Sequence, residues 1–188
     1  MTRCPYCQTP LRIDAPECPA CMLTFPRTSK LVGELPRLSI TVADTTGLLR
    51  GGVAGKISKG IQRLQRRYPQ LVVQLVMHRF PAEHPFSMHA FGLFNAGAFA
   101  GEGKRGKDNY ALLILIDPYR QESALVPGYG LEPLLKQEAL DHLLEMSGPA
   151  FQSSKWQLGL EVLVEGLEQL LETVSFVDEG IQHGESEF

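Results

Sequence analysis

Four cysteines near the start of the chain form the clearest chemical pattern in the sequence. They are Cys4, Cys7, Cys18 and Cys21, spaced C-x2-C-x10-C-x2-C, and the chain has no other cysteine. Two residues between paired cysteines let both thiolates reach one ion from a tight turn, and two such pairs complete a tetrahedron. Cys-Pro begins both pairs, which predicts two similar turns. The spacing therefore predicts a structural zinc ion held by all four cysteines.

The four-cysteine set indicates a closed site and not a catalytic one, because no coordination position is left for a reactive water. Two disulfides or a pair of C-x-x-C redox motifs are the alternatives. No βαβ pattern surrounds either pair, which weighs against the redox motif. A segment this short cannot bury a core of its own, so metal binding supplies its folding energy, roughly 10–16 kcal/mol in such peptides. We assign residues 1–25 to this zinc-stabilised unit.

A second group of side chains suits a hard cation. Asp44, Asp108, Asp117 and Glu132 all lie in loops or at predicted strand ends, and sites in α/β folds are built from loops at one edge of the sheet. Carboxylate oxygens of this kind bind Ca²⁺ or Mg²⁺. The alternative, which the sequence favours, is that these residues form turns and caps, as Asp commonly does before Pro or before Thr-Thr-Gly.

Two further patterns match binding motifs but lack the necessary context. Gly101–Gly106 reads G-x-G-x-x-G, which binds a pyrophosphate when it follows a strand and opens a helix. Here a predicted helix precedes it and a predicted strand follows, so we interpret it as a surface loop. His78, His84 and His89 lie close in sequence, but they lack metal-pair spacing with a carboxylate on one face. We interpret them as ordinary histidines.

Hydrophobic periodicity divides the rest of the chain into alternating strands and helices. Apolar residues from Val53 to Tyr68 recur every three or four positions, which predicts an amphipathic helix that ends before Pro69. The other predicted elements are helices over Pro85–Phe94, Leu131–Ser147 and Ser154–Val174, and strands over Leu38–Val42, Leu71–Met77, Tyr110–Ile116 and Glu122–Val126.

The order of these elements predicts an α/β fold. Tyr110–Ile116 is apolar throughout, which is typical of a central strand with helices on both faces. Strands interleaved with helices predict an α/β/α sandwich with a small mixed sheet. We place this domain at residues 37–176. A polar linker at residues 26–36 precedes it, and an acidic, disordered tail at residues 177–188 follows it.

Composition is that of an ordinary globular protein. The chain is 44% hydrophobic and 21% charged with a net charge of −3, which gives no general attraction to nucleic acid or to an anionic membrane. The longest apolar run, Ala111–Ile116, is far shorter than the roughly 20 residues of a membrane-spanning helix. The first residues lack the apolar stretch of a secretory signal, so we expect a cytoplasmic protein without a membrane span.

Charge is unevenly distributed along the chain. No acidic residue occurs between Thr45 and Ala82, where seven basic residues lie, whereas glutamates follow one side of the last predicted helix. The simpler interpretation is two solvated helix faces that pair with each other. The alternative is a basic docking surface around Lys56–Arg67 for an acidic protein partner or RNA.

The turn after the last predicted strand has a recognisable sequence. Val126–Glu132 reads VPGYGLE and resembles the "(V)GYGLE" turn of the TPM domain family. Pro149 with Phe151, and then Gly159-Leu160, follow in that family's order, while Asp44–Leu49 resembles its "D-x-x-G-x-L" opening and Lys107–Asn109 its approach to the apolar strand. The resemblance spans Leu38 to Val174. The cysteine pattern is similar to bacterial zinc ribbons, which often carry Gly where Gln8 and Met22 stand.

The resemblance implies an α/β/α sandwich, together with divalent-metal binding and weak phosphatase activity. The chain departs from the family after the turn, where Lys136 and Gln137 stand near a common Asp position, and at Ser154-Lys155, which replaces Gly-Asp. Because these departures remove two polar groups, we favour a non-catalytic binding or adaptor module with a protein partner. A divalent-metal-dependent, phosphatase-like hydrolase is the alternative, in which water held by a metal would act, since no G-x-S-x-G or D-x-D motif is present.

Overall fold

The chain builds a small hairpin and a four-stranded sheet with helices on both faces. The structure, a computed structural model, describes residues 2–12, 15–32, 36, 41–96 and 110–184. In chain order the elements are β1 (Thr2–Arg3), β2 (Pro10–Leu11), α1 (Phe25–Val32), β3 (Val42–Asp44), α2 (Val53–Arg67), β4 (Val72–Met77), α3 (Phe86–Ala96), β5 (Ala111–Asp117), β6 (Glu122–Pro127), α4 (Gln137–Gln152) and α5 (Trp156–Gly184).

The sheet is mixed, as the sequence predicts. Its strand order is β3-β4-β5-β6, in which β3, β4 and β5 are parallel and β6 returns antiparallel to β5. All seven residues of β5 are buried, because helices cover both faces of this strand. The carboxyl ends of the three parallel strands therefore meet at one edge, which we call the carboxyl edge.

Alternate residues of β5 belong to two separate cores. Leu112, Ile114 and Ile116 pack with side chains of α2, α4 and α5 on one face of the sheet. Leu113 and Leu115 pack with α3 on the other face. Because successive strand side chains point to opposite faces, this division produces an α/β/α sandwich, and the predicted fold class is confirmed.

The largest helix pair, α4 and α5, packs closely at two glycines. A Cβ atom at Gly159 would lie 2.4 Å from the ring of Phe151, and one at Gly166 would lie 2.5 Å from Leu143 Cδ2. Both glycines belong to α5 and face α4 side chains. The two helices therefore depend on the absence of a side chain at these positions.

Gly159→Ala is expected to lower the free energy of unfolding by about 1–3 kcal/mol, because the new methyl overlaps the Phe151 ring. Urea unfolding followed by circular dichroism measures this difference. Gly55→Ala is the matched control: Gly55 lies in α2 with no atom near its missing Cβ, so that helix should gain up to about 1 kcal/mol. Equal stabilities for the two variants would contradict the packing argument.

Two predicted stretches without regular structure are helical. The predicted linker, residues 26–36, contains most of α1, in which Thr28 and Val32 are buried. Pro26 lies in the first turn of α1, where proline is well tolerated, so it does not interrupt the helix. The predicted disordered tail begins inside α5, which continues to Gly184. No proline follows Pro149, so no such residue stops that helix.

Other element boundaries shift by a few residues. The predicted helix from Leu131 begins at Gln137, because residues 131–135 form turns that bury Leu131 and Leu135. The first strand of the sheet is Val42–Asp44, and residues 38–40 of the predicted strand lie outside the described residues. The predicted loop at residues 97–106, including the G-x-G-x-x-G pattern, also lies outside them.

Candidate metal centre

Two turns of the same geometry carry the four cysteines. In the first knuckle, Cys4–Gln8, the Gln8 N–H donates to the Cys4 carbonyl at 2.9 Å; in the second knuckle, Cys18–Met22, the Met22 N–H donates to Cys18 at 2.8 Å. The amides of Cys4 and Cys18 in turn donate to carbonyls five residues ahead, at Thr9 and Leu23. The repeated Cys-Pro sequence therefore folds into two equivalent knuckles.

The residue after each cysteine pair has a left-handed backbone. Gln8 has a φ of 60° and Met22 a φ of 54°, values that side-chain-bearing residues adopt at a cost. These are the two positions at which similar ribbons often carry glycine. The knuckle geometry is therefore present here without glycine.

The four sulfur atoms converge on one point. The Sγ atoms of Cys4 and Cys21 are 3.7 Å apart and those of Cys7 and Cys18 are 3.6 Å apart, and all four lie within 4.8 Å of one another. A tetrahedral site with zinc–sulfur bonds of about 2.3 Å separates its sulfurs by about 3.8 Å. Disulfide sulfurs would be about 2 Å apart, and all four cysteines are free. The cluster therefore fits a metal ion such as zinc.

The cysteines differ in acidity because their surroundings differ. Burial raises the pKa of Cys21 to about 12 and raises that of Cys4 as well. Hydrogen bonding to Thr9 lowers the pKa of Cys7 to about 6. Cysteine binds a metal as the thiolate, so a bound cation would stabilise the charged forms of Cys4 and Cys21, whose pKa values are otherwise raised.

The first knuckle contacts the TPM-like core. The Ser87 hydroxyl of α3 donates to the Pro5 carbonyl at 2.6 Å and accepts from Gln8 Nε2 at 3.2 Å. The rings of Tyr6 and His84 have centroids 6.0 Å apart. The cysteine cluster is therefore held against the core by its own turn.

Helix α1 attaches the second knuckle to the same surface. The rings of Phe25 and Phe91 meet edge to face with centroids 6.4 Å apart. A Cβ at Gly92 would lie 2.7 Å from Val32 Cγ2, so α1 lies directly on α3. Because α1 begins four residues after Cys21, this helix connects the second knuckle to α3 through a short link.

Asp44, one of the predicted cation ligands, closes the loop after β3. Its Oδ1 accepts from the Thr46 amide at 2.8 Å, the Thr46 hydroxyl at 2.6 Å and the Gly47 amide at 3.0 Å, and its Oδ2 accepts from the Leu49 amide at 2.8 Å. Burial raises the pKa of this carboxyl group, but the hydrogen bonds outweigh burial and the pKa lies below its ordinary value. The turn-and-cap interpretation describes this residue.

Asp44→Asn is expected to lower the free energy of unfolding at pH 7 by about 1–3 kcal/mol, because an amide NH₂ would face the Leu49 N–H donor. A carboxyl group with a depressed folded pKa stabilises the protein above its unfolded pKa and loses that contribution as pH falls through the folded pKa. The difference between wild type and variant should therefore shrink below about pH 4. Urea unfolding at several pH values measures it; a difference that persists unchanged at low pH would contradict this account.

Asp117 lies at the end of β5 and is fully buried, with no exposed surface. Its Oδ2 accepts from the Phe80 amide at 2.7 Å, and its Oδ1 accepts from the amides of Tyr119 at 2.9 Å and Arg120 at 3.1 Å. This carboxylate therefore ties the end of β5 to the loop that follows β4.

The structure does not bring the predicted carboxylates together. Asp44 and Asp117 lie on either side of β4, two strand spacings or about 10 Å apart. Glu132 follows β6, which ends beside the first residues of β5, so it lies at the opposite edge, about 20 Å away. The structure therefore does not place Asp44, Asp117 and Glu132 around one point. Asp108 lies outside the described residues, so its role stays a prediction.

The three predicted ordinary histidines lie near the carboxyl edge. His89 has no exposed surface, its Nε2 pairs with the Pro81 carbonyl at 3.1 Å, and burial lowers its pKa. Burial also lowers the pKa of His78, whose Nδ1 lies 2.7 Å from the Thr45 hydroxyl. In the part of the chain that the structure describes, the four cysteines are the only group of three or more clustered metal-ligand side chains.

The basic and acidic helices pair with each other, as the simpler interpretation holds. Lys56 of α2 lies 3.5 Å from Glu161 of α5. Arg67 of α2 lies 3.5 Å from Glu168 and also pairs with Glu172. Water screens such exposed pairs, so they contribute little to the stability of the fold. The pairing occupies both ends of the predicted basic docking surface.

Fold and site together define a small α/β domain that carries a separate four-cysteine centre. The family model described as the TPM domain matches residues 42–170. The chain belongs to the TPM domain family, and the resemblance seen in the sequence is confirmed. No protein with a curated function matches the chain.

Two solved structures share the fold. One is the N-terminal domain of a P. gingivalis protein, with a TM-score of 0.56 and 18% identity over 72% of this chain and 84% of that one. The other is the N-terminal domain of a Corynebacterium glutamicum protein, with a TM-score of 0.52 and 15% identity over 73% of this chain and 83% of that one. At these identities the similarity concerns the fold alone.

Among the described residues, no helix combines the length and the hydrophobicity that crossing a bilayer requires.

Proposed function

We propose that this TPM-domain protein is a non-catalytic binding module of the cytoplasm, in which a zinc ribbon and the sandwich form one docking body. The observation that carries the proposal is the closed cysteine cluster, fixed to α3 through Ser87. Four sulfur ligands leave a zinc ion no position for substrate or water. A rigid closed site of this kind suits recognition better than chemistry.

The surface of the ribbon supports a protein partner. Three large apolar side chains are exposed there or on α1: Tyr6 at 36%, Met22 at 64% and Phe25 at 50%. Single exposed apolar residues are common, but several on a segment of this size are typical of interaction sites. We therefore place the docking surface on Met22 and Phe25, and its occupant is an apolar patch of another protein.

The sandwich offers less support for a metal-dependent catalytic function. Every oxygen of Asp44 and Asp117 already accepts a backbone amide, so Ca²⁺ or Mg²⁺ would have to share these oxygens with the loop amides. The α2 surface around Lys59, Arg63 and Arg66 remains exposed and is the weaker candidate surface for an acidic partner.

A quantitative affinity capture tests the proposal. Wild type is compared with Met22→Ser plus Phe25→Ser, with Lys59→Glu plus Arg63→Glu, and with Tyr129→Ser plus Leu158→Ser. Tyr129 and Leu158 are also exposed apolar residues, at 71% and 50%, and they lie on other elements. We expect one protein to be lost from the ribbon variant and retained by the matched control, and to bind the wild type directly once purified.

Two outcomes would contradict the binding module. In the first, no purified protein binds the wild type and the ribbon variant captures the same set as the control. In the second, the pure protein hydrolyses phosphate esters at a rate that rises with Ca²⁺ or Mg²⁺, and the hydrolase alternative replaces the proposal.

A further inference from the structure

We propose that the metal state of the cysteine cluster controls the order of the loop between β4 and α3, residues 78–85, which we call the edge loop. The inference rests on the metal centre of the proposed function but on no partner. Its physical basis is a set of contacts that place the edge loop between the first knuckle and the buried carboxylate of β5.

One side of the edge loop contacts the first knuckle. Tyr6 packs against His84 within the loop. Immediately after the loop, Ser87 exchanges hydrogen bonds with Pro5 and Gln8. Pro5 and Tyr6 lie between the two cysteines of the first pair, so their positions follow directly from the coordination of Cys4 and Cys7.

The other side of the edge loop is held by hydrogen bonds to the turn between β5 and β6. Asp117 accepts the Phe80 amide at 2.7 Å. The Nη1 of Arg120 donates to the carbonyls of Pro81 at 3.1 Å and His84 at 2.9 Å. These contacts do not involve the ribbon, so after loss of the metal they alone would hold the loop, and it would open more often.

The edge loop has little stability of its own. Phe80 is its only fully buried side chain, and the other residues are exposed or half-buried. Segments with few buried apolar contacts open at low cost. Two buried ring nitrogens, Nδ1 of His84 and Nδ1 of His89, have no hydrogen-bond partner among the described residues. Opening the loop would give both nitrogens access to water, which favours the open state.

The ribbon has few buried apolar contacts of its own to hold the first knuckle in place without a metal. Its buried apolar residues are Cys4, Cys18 and Leu23, and two of these three are themselves proposed ligands. Loss of the ion would release Pro5 and Tyr6 from their contacts with the core. The edge loop would then be held only by its hydrogen bonds to Asp117 and Arg120. His84 and His89 would therefore be accessible to solvent in the metal-free protein and not in the metal-loaded protein.

Amide hydrogen exchange tests this coupling in the full chain. The informative variant is Cys18→Ser plus Cys21→Ser, because it removes ligands of the second knuckle and leaves Pro5, Tyr6 and Gln8 unchanged. We expect the amides of Phe80 and His89 to exchange about ten-fold faster or more than in the metal-loaded wild type. The amides of Gly128 and Leu131, at the opposite edge, should not change.

A second variant removes the contact between α3 and the first knuckle without removing a metal ligand. Ser87→Ala removes the hydroxyl that bridges Pro5 and Gln8 while all four cysteines remain. We expect it to hold as much zinc as wild type, by elemental analysis, and to show faster exchange at Phe80 and His89.

Zinc content and amide exchange together distinguish failure of the coupling from failure of the metal centre. If wild type holds zinc but the cysteine variant leaves the edge loop unchanged, the coupling is wrong and the metal centre stands. If wild type holds no metal, both the centre and the coupling are wrong.

Discussion

Removing the metal from the purified protein is expected to unfold the ribbon while the sheet stays folded. The knuckles bury only Cys4, Cys18 and Leu23, whereas zinc binding supplies roughly 10–16 kcal/mol to peptides of this kind. The core clusters around β5 contain no ribbon residue. A bound metal would therefore carry most of the stability of the ribbon and little of that of the sandwich.

Elemental analysis should give one zinc ion per chain before treatment with a strong chelator and none after it. The amides of Gln8 and Met22, which close the two knuckles, should then exchange at rates close to those of an unfolded chain. Adding Zn²⁺ should restore protection, and adding Mg²⁺ should not, because thiolates are poor ligands for magnesium. Protein isolated without metal and with two intact disulfides would refute the metal centre.

Asp117→Ala is expected to have a larger effect than the other substitutions proposed for the sandwich, about 2–5 kcal/mol of lost stability. The side chain has no exposed surface and accepts three amides, from Phe80, Tyr119 and Arg120. Its removal leaves the Phe80 amide without an acceptor in the protein interior. Equilibrium unfolding in urea measures the loss.

The matched control for this prediction is Asp141→Ala in α4. Asp141 accepts one hydrogen bond, from Gln137 at the surface, so its loss should cost no more than about 0.5 kcal/mol. Asp117→Asn should fall between the two variants, since one oxygen remains as an acceptor. A free energy of unfolding for Asp117→Ala within 0.5 kcal/mol of wild type, roughly the size of a surface effect, would contradict the role described.

Features that depend on residues close together in the sequence could be predicted from the sequence. The cysteine ligands lie in two short turns, so their spacing alone was sufficient to predict the cluster. The apolar run at Tyr110–Ile116 predicted the central strand because burial on both faces removes alternation. Helix α1 was missed because what stabilises it is distant in sequence: Phe25 packs on Phe91, and Val32 lies against Gly92.

Strand direction explains why the structure separates Glu132 from Asp44 and Asp117. Asp44 and Asp117 end parallel strands, so they share the carboxyl edge. Glu132 follows a strand that runs the opposite way, and that reversal moves the next loop to the other edge. Positions at strand ends carry no information about the edge until strand directions are known. The hydrogen bonds that occupy Asp44 and Asp117 are likewise set by loops that spacing does not describe.

Pro127 limits how a peptide could pair with β6. Among the described strands, β6 is an outer strand of the sheet, and it ends at Pro127, which has no amide hydrogen to donate. Proline on an outer strand makes it a poorer template for a further strand. At this end of β6, a partner is therefore expected to be recognised through side chains, and not by adding a strand to the sheet.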